Sequence, residues 1–543
     1  MITEKEFIDK YKDYSKDQLL QLAYTNLVRA HSSEENYKTL AKRFFGPRSE
    51  KINPNQLSLF NEAEPTAGAE PEKAEESETV TYTRRKGKRN EKLKSMQVVE
   101  EHVWPGNRDC PVCGKPMQEV SPDIVEYLEH IPEQFILHRY IIHNLTCRAC
   151  NDEKMNMTVY NDKSSLPPRL IEGSFATPSV VVNIAANKFL MGEPFYRQEK
   201  DLLRRGIPIS RQNMCGWVIK TADLYLRVLY DRMMEDGRSS EVIHMDETTL
   251  ACLEERKNGK TSNSYAWLMM SGEYEEKQFA VYFYNATREY GTVGKLLGPG
   301  FHGVIQSDGY GAYSEYAGTE KKAGCWAHAR RKYNDALAGN EKVYKEYQKA
   351  GREKKAEILE QYPSLKDILR MIEYMQRMFR MEKSYKEAGM TPGEILAQRK
   401  ESYPKILEDV RSLAEEMKDK YLPQSKAGKA TTYLLNQWGP LNYFMTDGRV
   451  PMSNNIIERE GVKPLVMSRK NFLFADTVRG AEASMAWFSL LVSAVMNHLD
   501  PQKYMVYVLE QMSSQYITDE LISRLLPYSK DLPKEIKTAS PSK

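Results

Sequence analysis

The sequence predicts a multidomain α+β protein in which a mixed sheet with helices on its faces carries a large helical insertion and follows two smaller modules. Strand-like runs and helical patterns alternate between residues 241 and 332. A long stretch of helical periodicity follows from about 338 to 440, and two Cys-x-x-Cys pairs stand upstream. We therefore expect a sheet-based core, a helical insertion, a metal-binding module and a module of short helices.

Length and composition indicate a soluble globular protein. At roughly 100 to 200 residues per domain, 543 residues correspond to about three or four domains. No run of about 18 apolar residues and no apolar N-terminal leader occurs, so we expect a soluble, untargeted, cytoplasmic chain. The net charge of +3 neither favours nor excludes nucleic acid, because that interaction depends on Lys and Arg clustering on one face.

The N-terminal region carries helical and then linker patterns. Apolar residues recur at helical spacing from Asp17 to Phe45, which predicts one or two amphipathic helices, in a short coiled coil or packed on the rest of the chain. A run rich in Glu, Ala, Pro and Ser from Pro65 to Val80 is typical of a linker. The basic stretch from Arg84 to Lys94 is either a solvated linker or an arm that contacts DNA phosphates. Its first residues are Arg84, Arg85 and Lys86.

The two cysteine pairs are the most specific local signal in the chain. Thiolate pairs on tight turns, with Gly114 directly after the first, are the ligands of a closed tetrahedral zinc site. The spacer from Ile124 to Leu145 is rich enough in Ile, Leu, Tyr and Phe to form strands. We therefore expect a zinc ribbon that holds a structural Zn²⁺, rather than a disulfide framework. The predicted ligands are Cys110, Cys113, Cys147 and Cys150.

The remaining cysteines lack paired spacing. We interpret Cys215, Cys252 and Cys325 as core residues, since a free cysteine usually packs as a small apolar side chain.

A helix-turn-helix pattern follows the zinc ribbon. After an apolar helical segment from Thr177 to Leu190, a helix from Glu193 to Arg205 ends at Gly206, and Ser210 can cap the next helix. The first turn of that second helix faces DNA in helix-turn-helix proteins, although an ordinary αα-hairpin has the same pattern. The residues on that turn are Arg211, Gln212 and Asn213.

Five strands are predicted after residue 240. An antiparallel meander and a helix precede the fourth strand, and the fifth is expected over Lys322–Trp326. The meander strands are Val242–Met245, Tyr265–Met270 and Phe279–Tyr284, and the helix is Arg288–Leu297.

Two of these strands deliver an aspartate at their end. Asp246 follows the first strand, and Asp308 follows the fourth, within the stretch GVIQSDGY. If the strands are neighbours, the two carboxylates converge and repel each other unless a divalent cation such as Mg²⁺ or Mn²⁺ lies between them. The alternative is an ordinary Asp-Gly turn and a solvated strand end.

Basic residues surround the points where the chain leaves and rejoins the sheet. His328, Arg330 and Arg331 begin a helix after the fifth strand and either hold phosphates or form a solvated helix start. The helical insertion runs through Ser364–Ala388 and continues from Thr391 past Pro404 toward Lys420.

The returning segment, from Pro451 to Asp476, offers a third carboxylate. Glu458 fits a capping box that begins at Asn455, and the residues alone do not choose between Glu458 and Glu460 as a metal ligand. The nearby basic residues suit a polyanionic substrate. They are Arg459, Lys463, Arg469 and Lys470. Two apolar helices, separated by Asp500-Pro501, follow from Ala481 to Met512.

These patterns divide the chain into consecutive segments. They are an N-terminal helical or coiled-coil-like region (1–62), an acidic then basic linker (63–95), the zinc ribbon (96–165), the helix-turn-helix region (166–238), the first part of the sheet core (239–338), the helical insertion (339–449), the second part of the core with the candidate Glu (450–500) and a C-terminal helical tail (501–543).

Taken together, several stretches resemble the transposases of the IS66 type, which belong to the wider group with an Asp-Asp-Glu triad on a ribonuclease H-like fold. The stretches are FGPRSEKINPNQLSLF, CPVCG with CRAC, MDETTL, SDGYGAY, CWAHARRKY, NNIIERE with SRKNFLF, and DPQKYMVYVL. The set is specific, although no single stretch is. In SRKNFLF the family typically has Gly before the Arg and often Trp in place of Phe472, a departure that affects no candidate catalytic residue.

The resemblance implies a catalytic triad of Asp246, Asp308 and Glu458, and so chooses Glu458 over Glu460. It implies two Mg²⁺ (or Mn²⁺) ions at the active site and two-metal phosphoryl transfer. It also gives the zinc ribbon, the helix-turn-helix and the basic arm a common task in binding terminal inverted repeats. Synapsis of two ends leads us to expect a homodimer on double-stranded DNA, and accessory proteins of the same element are candidate partners.

The resulting hypothesis is a DNA transposase that binds the inverted repeats of an insertion sequence and catalyses DNA cleavage and strand transfer. A catalytically silent sequence-specific DNA-binding regulator is one alternative. A ribonuclease H-like nuclease without strand transfer is the other, since it shares the metal chemistry.

Overall fold

The computed structural model describes residues 97–119, 121–131, 134–147, 159–257, 263–339 and 341–538. The predicted N-terminal helices, the linker with Arg84, Arg85 and Lys86, and the fourth cysteine, Cys150, lie outside these residues. The chain divides into two compact units. Within the described residues, the larger unit comprises the chain up to Arg330, Glu373–Arg411 and the chain from Tyr433 onward, and the smaller comprises Arg331–Ile372 and Ser412–Thr432.

The cysteine-bearing region folds into two small sheets. In the first, β1 (Gln97–Val103) and β3 (Asp123–Ile131) flank β4 (Gln134–Ile142), with β1 parallel and β3 antiparallel to it. In the second, β2 (Gln118–Glu119) and β6 (Val159–Tyr160) both pair antiparallel with β5 (Leu145–Thr146). The strands predicted between the two cysteine pairs are therefore confirmed.

A series of helices links this region to the central sheet. They are α1 (Pro178–Phe189), α2 (Phe195–Arg204), α3 (Arg211–Thr221) and α4 (Arg227–Arg238), the last two joined by a π-helical turn (Ala222–Leu226). Pro194 is the residue before α2, and the Ser210 hydroxyl accepts the Asn213 N–H at the start of α3. The predicted start signals are confirmed, because Pro194 has no N–H to leave unpaired and Ser210 pairs an N–H of the first turn. The predicted stop is confirmed as well, since α2 ends before Gly206.

A mixed sheet forms the core of the larger unit. Its main strands are β7 (Val242–Cys252), β8 (Ser264–Ser271), β9 (Ala280–Asn285), β10 (Val304–Gln306) and β11 (Lys322–Ala323). Their order across the sheet is β11-β10-β7-β8-β9, in which β7, β8 and β9 form an antiparallel meander while β10 and β11 run parallel to β7. The predicted meander and the two additional strands are confirmed.

Two predicted strand ends are wrong. Strand β11 ends at Ala323, because Trp326 already begins the next helix. The ring N–H of Trp326 donates to the Leu441 carbonyl at 2.7 Å. Strand β7 continues beyond Asp246 to Cys252, because β8 pairs with it over Ile243–Leu250.

Short helices connect these strands. They are α5 (Leu253–Lys257), α6 (Gly291–Leu297) and α7 (Gly311–Glu315), and α8 (Trp326–Gly339) leaves the sheet.

The insertion is helical, as predicted. Its helices are α9 (Glu341–Lys349), α10 (Arg352–Gln361), α11 (Pro363–Glu387), α12 (Pro392–Ser402), α13 (Pro404–Lys420), α14 (Lys426–Asn436) and α15 (Trp438–Asn442), with a 3-10 turn at Tyr443–Met445. The helix predicted to run past Pro404 is two helices, because proline lacks the N–H that would continue the first.

Buried polar contacts fix parts of the insertion. In the larger unit, Arg399 is 2 % exposed and donates to Glu382 at 2.7 Å and to the carbonyls of Phe444 and Val450. In the smaller unit, Asp367 accepts hydrogen bonds from Tyr421 (2.8 Å) and Lys420.

The chain then completes the sheet and its helical cover. A π-helical turn (Ile457–Val462) leads into α16 (Lys463–Phe472), and β12 (Phe474–Ala475) pairs with the end of β7. The final helices are α17 (Val478–Met496), α18 (Pro501–Ser514) and α19 (Asp519–Leu525), before a 3-10 turn at Lys534–Ile536.

Helix α17 is a core element of the larger unit. The hydroxyls of Ser489 and Ser493 accept the N–H groups of Tyr282 and Ala280 on β9, both at 2.9 Å. Asp500 caps α18, so the predicted pair of apolar helices is confirmed. None of the helices in the described part of the chain is long and apolar enough to span a membrane.

Candidate active site and zinc cluster

The two candidate aspartates lie at the same level of neighbouring strands. Strands β7 and β10 pair in parallel with His244 opposite Gln306, and Asp246 and Asp308 each come two residues later. Strand β10 ends at Gln306, so the edge of β7 beside Asp246 is no longer paired on that side. Asp246 thus lies within a strand rather than at its end, and it is the end of β10 that opens the sheet at this point.

Asp308 combines the turn role and the candidate ligand role. Its carboxylate accepts the Tyr310 N–H at 2.9 Å, as in an Asx turn, and its carbonyl accepts the Tyr433 hydroxyl at 2.7 Å. Gly309 has φ of 86°, a conformation that favours glycine. The Asp-Gly turn therefore holds the carboxylate of Asp308 at the end of β10.

Glu458 lies on the π-helical turn that precedes α16. The Tyr282 hydroxyl donates to the Gly461 carbonyl of this turn at 2.6 Å, and a Cβ on Gly461 would lie 2.2 Å from Leu268 Cδ2. The turn therefore packs closely on β8 and β9. Such local π-helical turns often occur at functional sites.

The capping box predicted as the alternative role for Glu458 does not form. Asn455 Oδ1 is buried without a hydrogen-bond partner, and Glu458 Oε1 lies 3.2 Å from His328 Nε2. Glu460 is instead paired with its exposed neighbour Arg459 at 2.7 Å. This geometry favours Glu458 over Glu460 as the third acid.

The three acids interact electrostatically. Burial, together with the charges of Glu247, Asp308 and Glu458, raises the pKa of Asp246 to about 7. Three metal-ligating atoms lie within 4.8 Å of one another in only one group of the described residues, a cysteine cluster. The three acids do not meet this distance. The carboxylate oxygens of the acids are therefore more widely spread than the cysteine sulfurs.

Glu247, the neighbour of Asp246, is held by other side chains. It forms an ion pair with Arg288 and accepts a hydrogen bond from Tyr313. Burial raises the pKa of Glu247, and these two hydrogen bonds act in the opposite direction. The candidate role on this strand therefore stays with Asp246.

A buried hydrogen-bond network connects the strand of Asp246 to the segment before Glu458. Asn454 is fully buried; its Nδ2 donates to the Met245 carbonyl at 3.1 Å, and its Oδ1 lies 2.6 Å from His244 Nδ1. Burial lowers the pKa of His244 to about 4, so the neutral ring donates from Nδ1 to Asn454. The Asn454 N–H donates to Cys325 Sγ at 3.1 Å.

His328 extends this network to the third acid. Burial lowers the pKa of His328, but its interactions with Cys325 and Glu458 raise it more, to about 10. Neither Asn454 nor the role of Cys325 was predicted from the sequence. The signals were present as a Cys and a His three residues apart at a helix start, and as an Asn pair before the acid.

The predicted basic DNA contacts occupy different environments. Lys463, Lys470 and Arg331 are exposed, whereas Arg469 is partly buried and donates to the hydroxyls of Thr248 and Thr249. Arg330 stacks on Phe379 at 4.2 Å, and burial lowers its pKa.

The helix-turn-helix residues are accessible. Arg211, Gln212 and Asn213 lie on the exposed first turn of α3, as predicted. The Arg211 backbone N–H donates to Glu199 on α2 at 3.0 Å, and its guanidinium lies 5.7 Å from the Tyr196 ring centre.

Three of the four predicted zinc ligands form a cluster. The sulfurs of Cys110, Cys113 and Cys147 lie within 4.8 Å of one another, with Cys113 and Cys147 3.5 Å apart. Gly114 has φ of 69° and donates its N–H to the Cys110 carbonyl at 2.8 Å, as expected for a cysteine knuckle. These thiols fit a tetrahedral structural zinc, and Cys150 lies outside the described residues.

The other cysteines differ from one another. Cys252 and Cys325 are buried, as predicted, but Cys215 is exposed. The core interpretation is wrong for Cys215, because it lies on the side of α3 that lines an open cavity rather than the packed interior.

Three sequence-family models match the chain. The model of the transposase IS66 family matches residues 173–483, that of the zinc-finger binding domain of transposase IS66 matches residues 107–151, and that of transposase C of IS166 homeodomain matches residues 34–100. The first covers more than half of the chain and all three candidate acids. The second contains all four predicted zinc ligands.

Proteins of Sinorhizobium fredii are similar to this chain over two thirds or more of its length. The uncharacterized protein y4jD is 27 % identical over 438 residues, which is 79 % of this chain and 79 % of that protein. The uncharacterized protein y4qI is 29 % identical over 377 residues, or 67 % of this chain and 64 % of that protein. The uncharacterized protein y4hP is 24 % identical over 433 residues, or 77 % and 73 %.

Proposed function

Because this chain belongs to the IS66 transposase family, we propose that it is a DNA transposase that cleaves the ends of its insertion sequence and transfers them to target DNA. The observation that carries the proposal is that the charges of Asp308 and Glu458 both act on Asp246, beside the point where β10 ends and leaves the edge of β7 unpaired. Buried acids of like charge repel one another, so their convergence favours a cation-binding role.

The sheet supports a ribonuclease H-like core. An antiparallel meander is extended by two strands parallel to its first strand; Asp246 lies on the first strand, and Asp308 follows the end of the fourth. The insertion separates them from Glu458 in sequence, and the chain returns to the same sheet through β12.

The donor set fits a pair of hard divalent cations. Carboxylate oxygens are the ligands that Mg²⁺ prefers, and Asp246, Asp308 and Glu458 would supply them. Bound Mg²⁺ or Mn²⁺ activates an attacking oxygen and stabilises a leaving oxygen in phosphoryl transfer. His328 and Asn454 orient the glutamate and the strand that carries Asp246, and Tyr313 and Arg288 keep Glu247 turned to its own partners.

The remaining modules support recognition of DNA. Arg211, Gln212 and Asn213 face outward from α3, as base-reading residues of a helix-turn-helix do. Together with the zinc ribbon and the basic arm, they would bind the terminal inverted repeats. We expect a homodimer on the two synapsed ends in the cytoplasm, with accessory proteins of the element as further partners.

The test uses single substitutions that keep the shape of each acid. Asp246→Asn, Asp308→Asn and Glu458→Gln should abolish Mg²⁺-dependent cleavage of a duplex that carries one element end, while anisotropy shows unchanged binding. Glu460→Gln is the matched control, since this acid lies two residues away and pairs with Arg459. Cleavage that persists in any of the three variants would contradict the triad.

A second assay separates transposition from simple nuclease activity. A pre-cleaved end with a free 3′-hydroxyl should join to target DNA in the wild type and in Glu460→Gln, but not in Glu458→Gln. Cleavage without joining would indicate a nuclease instead, and binding without either reaction would indicate a regulator.

A further inference from the structure

The cavity that Cys215 lines lies between α3, the second helix of the predicted helix-turn-helix, and the end of α16. It has a volume of about 660 Å³. Its lining includes Lys188, Phe195, Arg211, Gln212, Phe472 and Phe474, and we call it the Lys188 cavity. A volume of this size accommodates a small planar ligand, since ligand sites typically measure about 300–1,000 Å³.

Lys188 gives this cavity a cation surrounded by aromatic rings. Its Nζ lies 4.1 Å from the ring centre of Phe195, 4.9 Å from that of Phe472 and 5.7 Å from that of Phe189. Among the described residues, the Cys215 thiol also interacts electrostatically with Lys188, and no carboxylate contributes to its electrostatics. Burial lowers the pKa of Lys188 to about 8. Planar rings next to a donor form a site for a flat, hydrogen-bonding ligand.

An exposed apolar residue in a strained conformation, Leu473, separates two residues that line the cavity, Phe472 and Phe474. Leu473, directly after α16, has φ of 63° and is 62 % exposed, and the next residue, Phe474, is 44 % exposed. A leucine rarely adopts a left-handed conformation, and such strain is often retained where it serves a function. Here it presents an apolar side chain to solvent, three residues after the exposed Lys470.

These features have a known physical use in proteins that bind duplex DNA. Apolar side chains enter between base pairs and unstack them, and an unstacked base is held by aromatic rings and by hydrogen bonds to its edges. Lys188 and Gln212 offer donors to the acceptor groups of a base, and Arg211 offers a guanidinium to the adjacent phosphate.

We propose that the Lys188 cavity receives a single unstacked base of the element end, displaced by insertion of Leu473 into the duplex. This inference rests on the proposed function, because it requires the chain to bind an element end. It adds a base-binding site outside the three candidate acids.

The position of the cavity sets where that base lies. Leu250 lines the cavity and follows Asp246 by four residues on β7, which corresponds to roughly 13 Å at about 3.3 Å per residue. At about 3.4 Å per base step, the displaced base should lie within about four nucleotides of the cleaved phosphate.

Photochemical crosslinking on the full-length chain tests the proposal. Element-end duplexes carry 5-iododeoxyuridine at one position each across the terminal eight or so nucleotides, without added Mg²⁺, and the crosslinked peptides are mapped by mass spectrometry. Anisotropy measures binding of the same duplexes. We expect one position, within about four nucleotides of the cleavage point, to crosslink to Phe195, Phe472 or Phe474.

Two variants separate the wedge from the cavity. Leu473→Gly removes the wedge and retains the backbone conformation, because glycine adopts positive φ without strain; it should fold normally, bind the duplex and lose the crosslink. Phe195→Ala should lower the crosslink yield about fivefold or more, as expected when one stacking ring is removed. Zinc content and thermal unfolding confirm that both variants are folded.

The outcomes distinguish this inference from the proposed function. If the wild type binds and cleaves the end but no position crosslinks to the cavity, the inference is overturned and the transposase assignment stands. An undiminished crosslink in Leu473→Gly would overturn the role of the wedge. If the wild type does not bind the end at all, the proposed function fails and the base-binding site fails with it.

Discussion

Replacing Asn454 with alanine tests whether side-chain hydrogen bonds hold the candidate acids in register. Asn454 accepts from His244 Nδ1 at 2.6 Å and donates to the Met245 carbonyl at 3.1 Å, in a position with no solvent access. His244 Nε2 is already buried without a partner in the described structure. In Asn454→Ala the imidazole therefore loses its side-chain partner.

The expected loss of stability follows from these two contacts. A buried donor left unsatisfied costs about 1–3 kcal/mol, and loss of the bond to the carbonyl costs about 1 kcal/mol. We expect the free energy of unfolding of the larger unit to fall by about 2–4 kcal/mol, measured by urea denaturation. Displacement of the Glu458 segment relative to β7 should also lower single-turnover cleavage by about 100-fold, the effect of a misplacement of about 1 Å.

Ser493→Ala provides the matched control. Ser493 lies on α17 of the same unit, and its hydroxyl accepts the N–H of Ala280 on β9 at 2.9 Å. This hydrogen bond does not involve the strand or the turn that carries a candidate acid. Its loss should lower stability by about 1–3 kcal/mol without changing cleavage by the folded fraction. The reasoning fails if Asn454→Ala, once folded, cleaves at the wild-type rate, or if the two variants lose cleavage equally.

Further predictions concern the zinc cluster, the insertion and the π-helical turn. Cys113→Ser should lose bound zinc by metal analysis and make the cysteine region sensitive to limited proteolysis, because structural zinc contributes about 10–16 kcal/mol to such domains; unchanged zinc content would contradict the cluster. Arg399→Met leaves the partly buried Glu382 charge without its ion-pair partner and should cost about 3–5 kcal/mol in urea unfolding; adding Glu382→Leu should recover part of that loss, and no recovery would show that the pair is not coupled. Gly461→Val should cost about 1–3 kcal/mol by overpacking and should lower cleavage, whereas Gly291→Ala, where an added Cβ meets nothing within 4 Å, should be neutral; equal effects would rule out the close packing of the turn.

Local sequence signals determined the element order. Pro194 and Ser210 marked the starts of α2 and α3, and the change from helical to strand periodicity at residue 241 located the meander. These signals act over a few residues, through cap hydrogen bonds and alternating burial, so they can be interpreted without knowing the fold. The cysteine knuckle is of the same kind, since its ligands lie within one turn.

Other features depended on contacts between distant segments. The true length of β7 is set by its pairing with β8, and the exposure of Cys215 by a cavity that α3 forms with residues after α16. The proline that breaks the helix, Pro404, is present in the sequence, but the helical pattern on both sides of it favoured a single continuous helix.

In the candidate site, too, some features follow from the sequence and others from contacts between distant segments. The sequence by itself determined that Asp246 and Asp308 follow apolar strands and, through the family resemblance, that Glu458 is the third acid. Only the tertiary structure decided what surrounds them: Glu458 faces His328, and Asn454 bonds to the strand of Asp246. Asn454 and Met245 are 209 residues apart in the chain. No local pattern encodes such a hydrogen bond, because it joins two segments that the whole helical insertion separates in sequence.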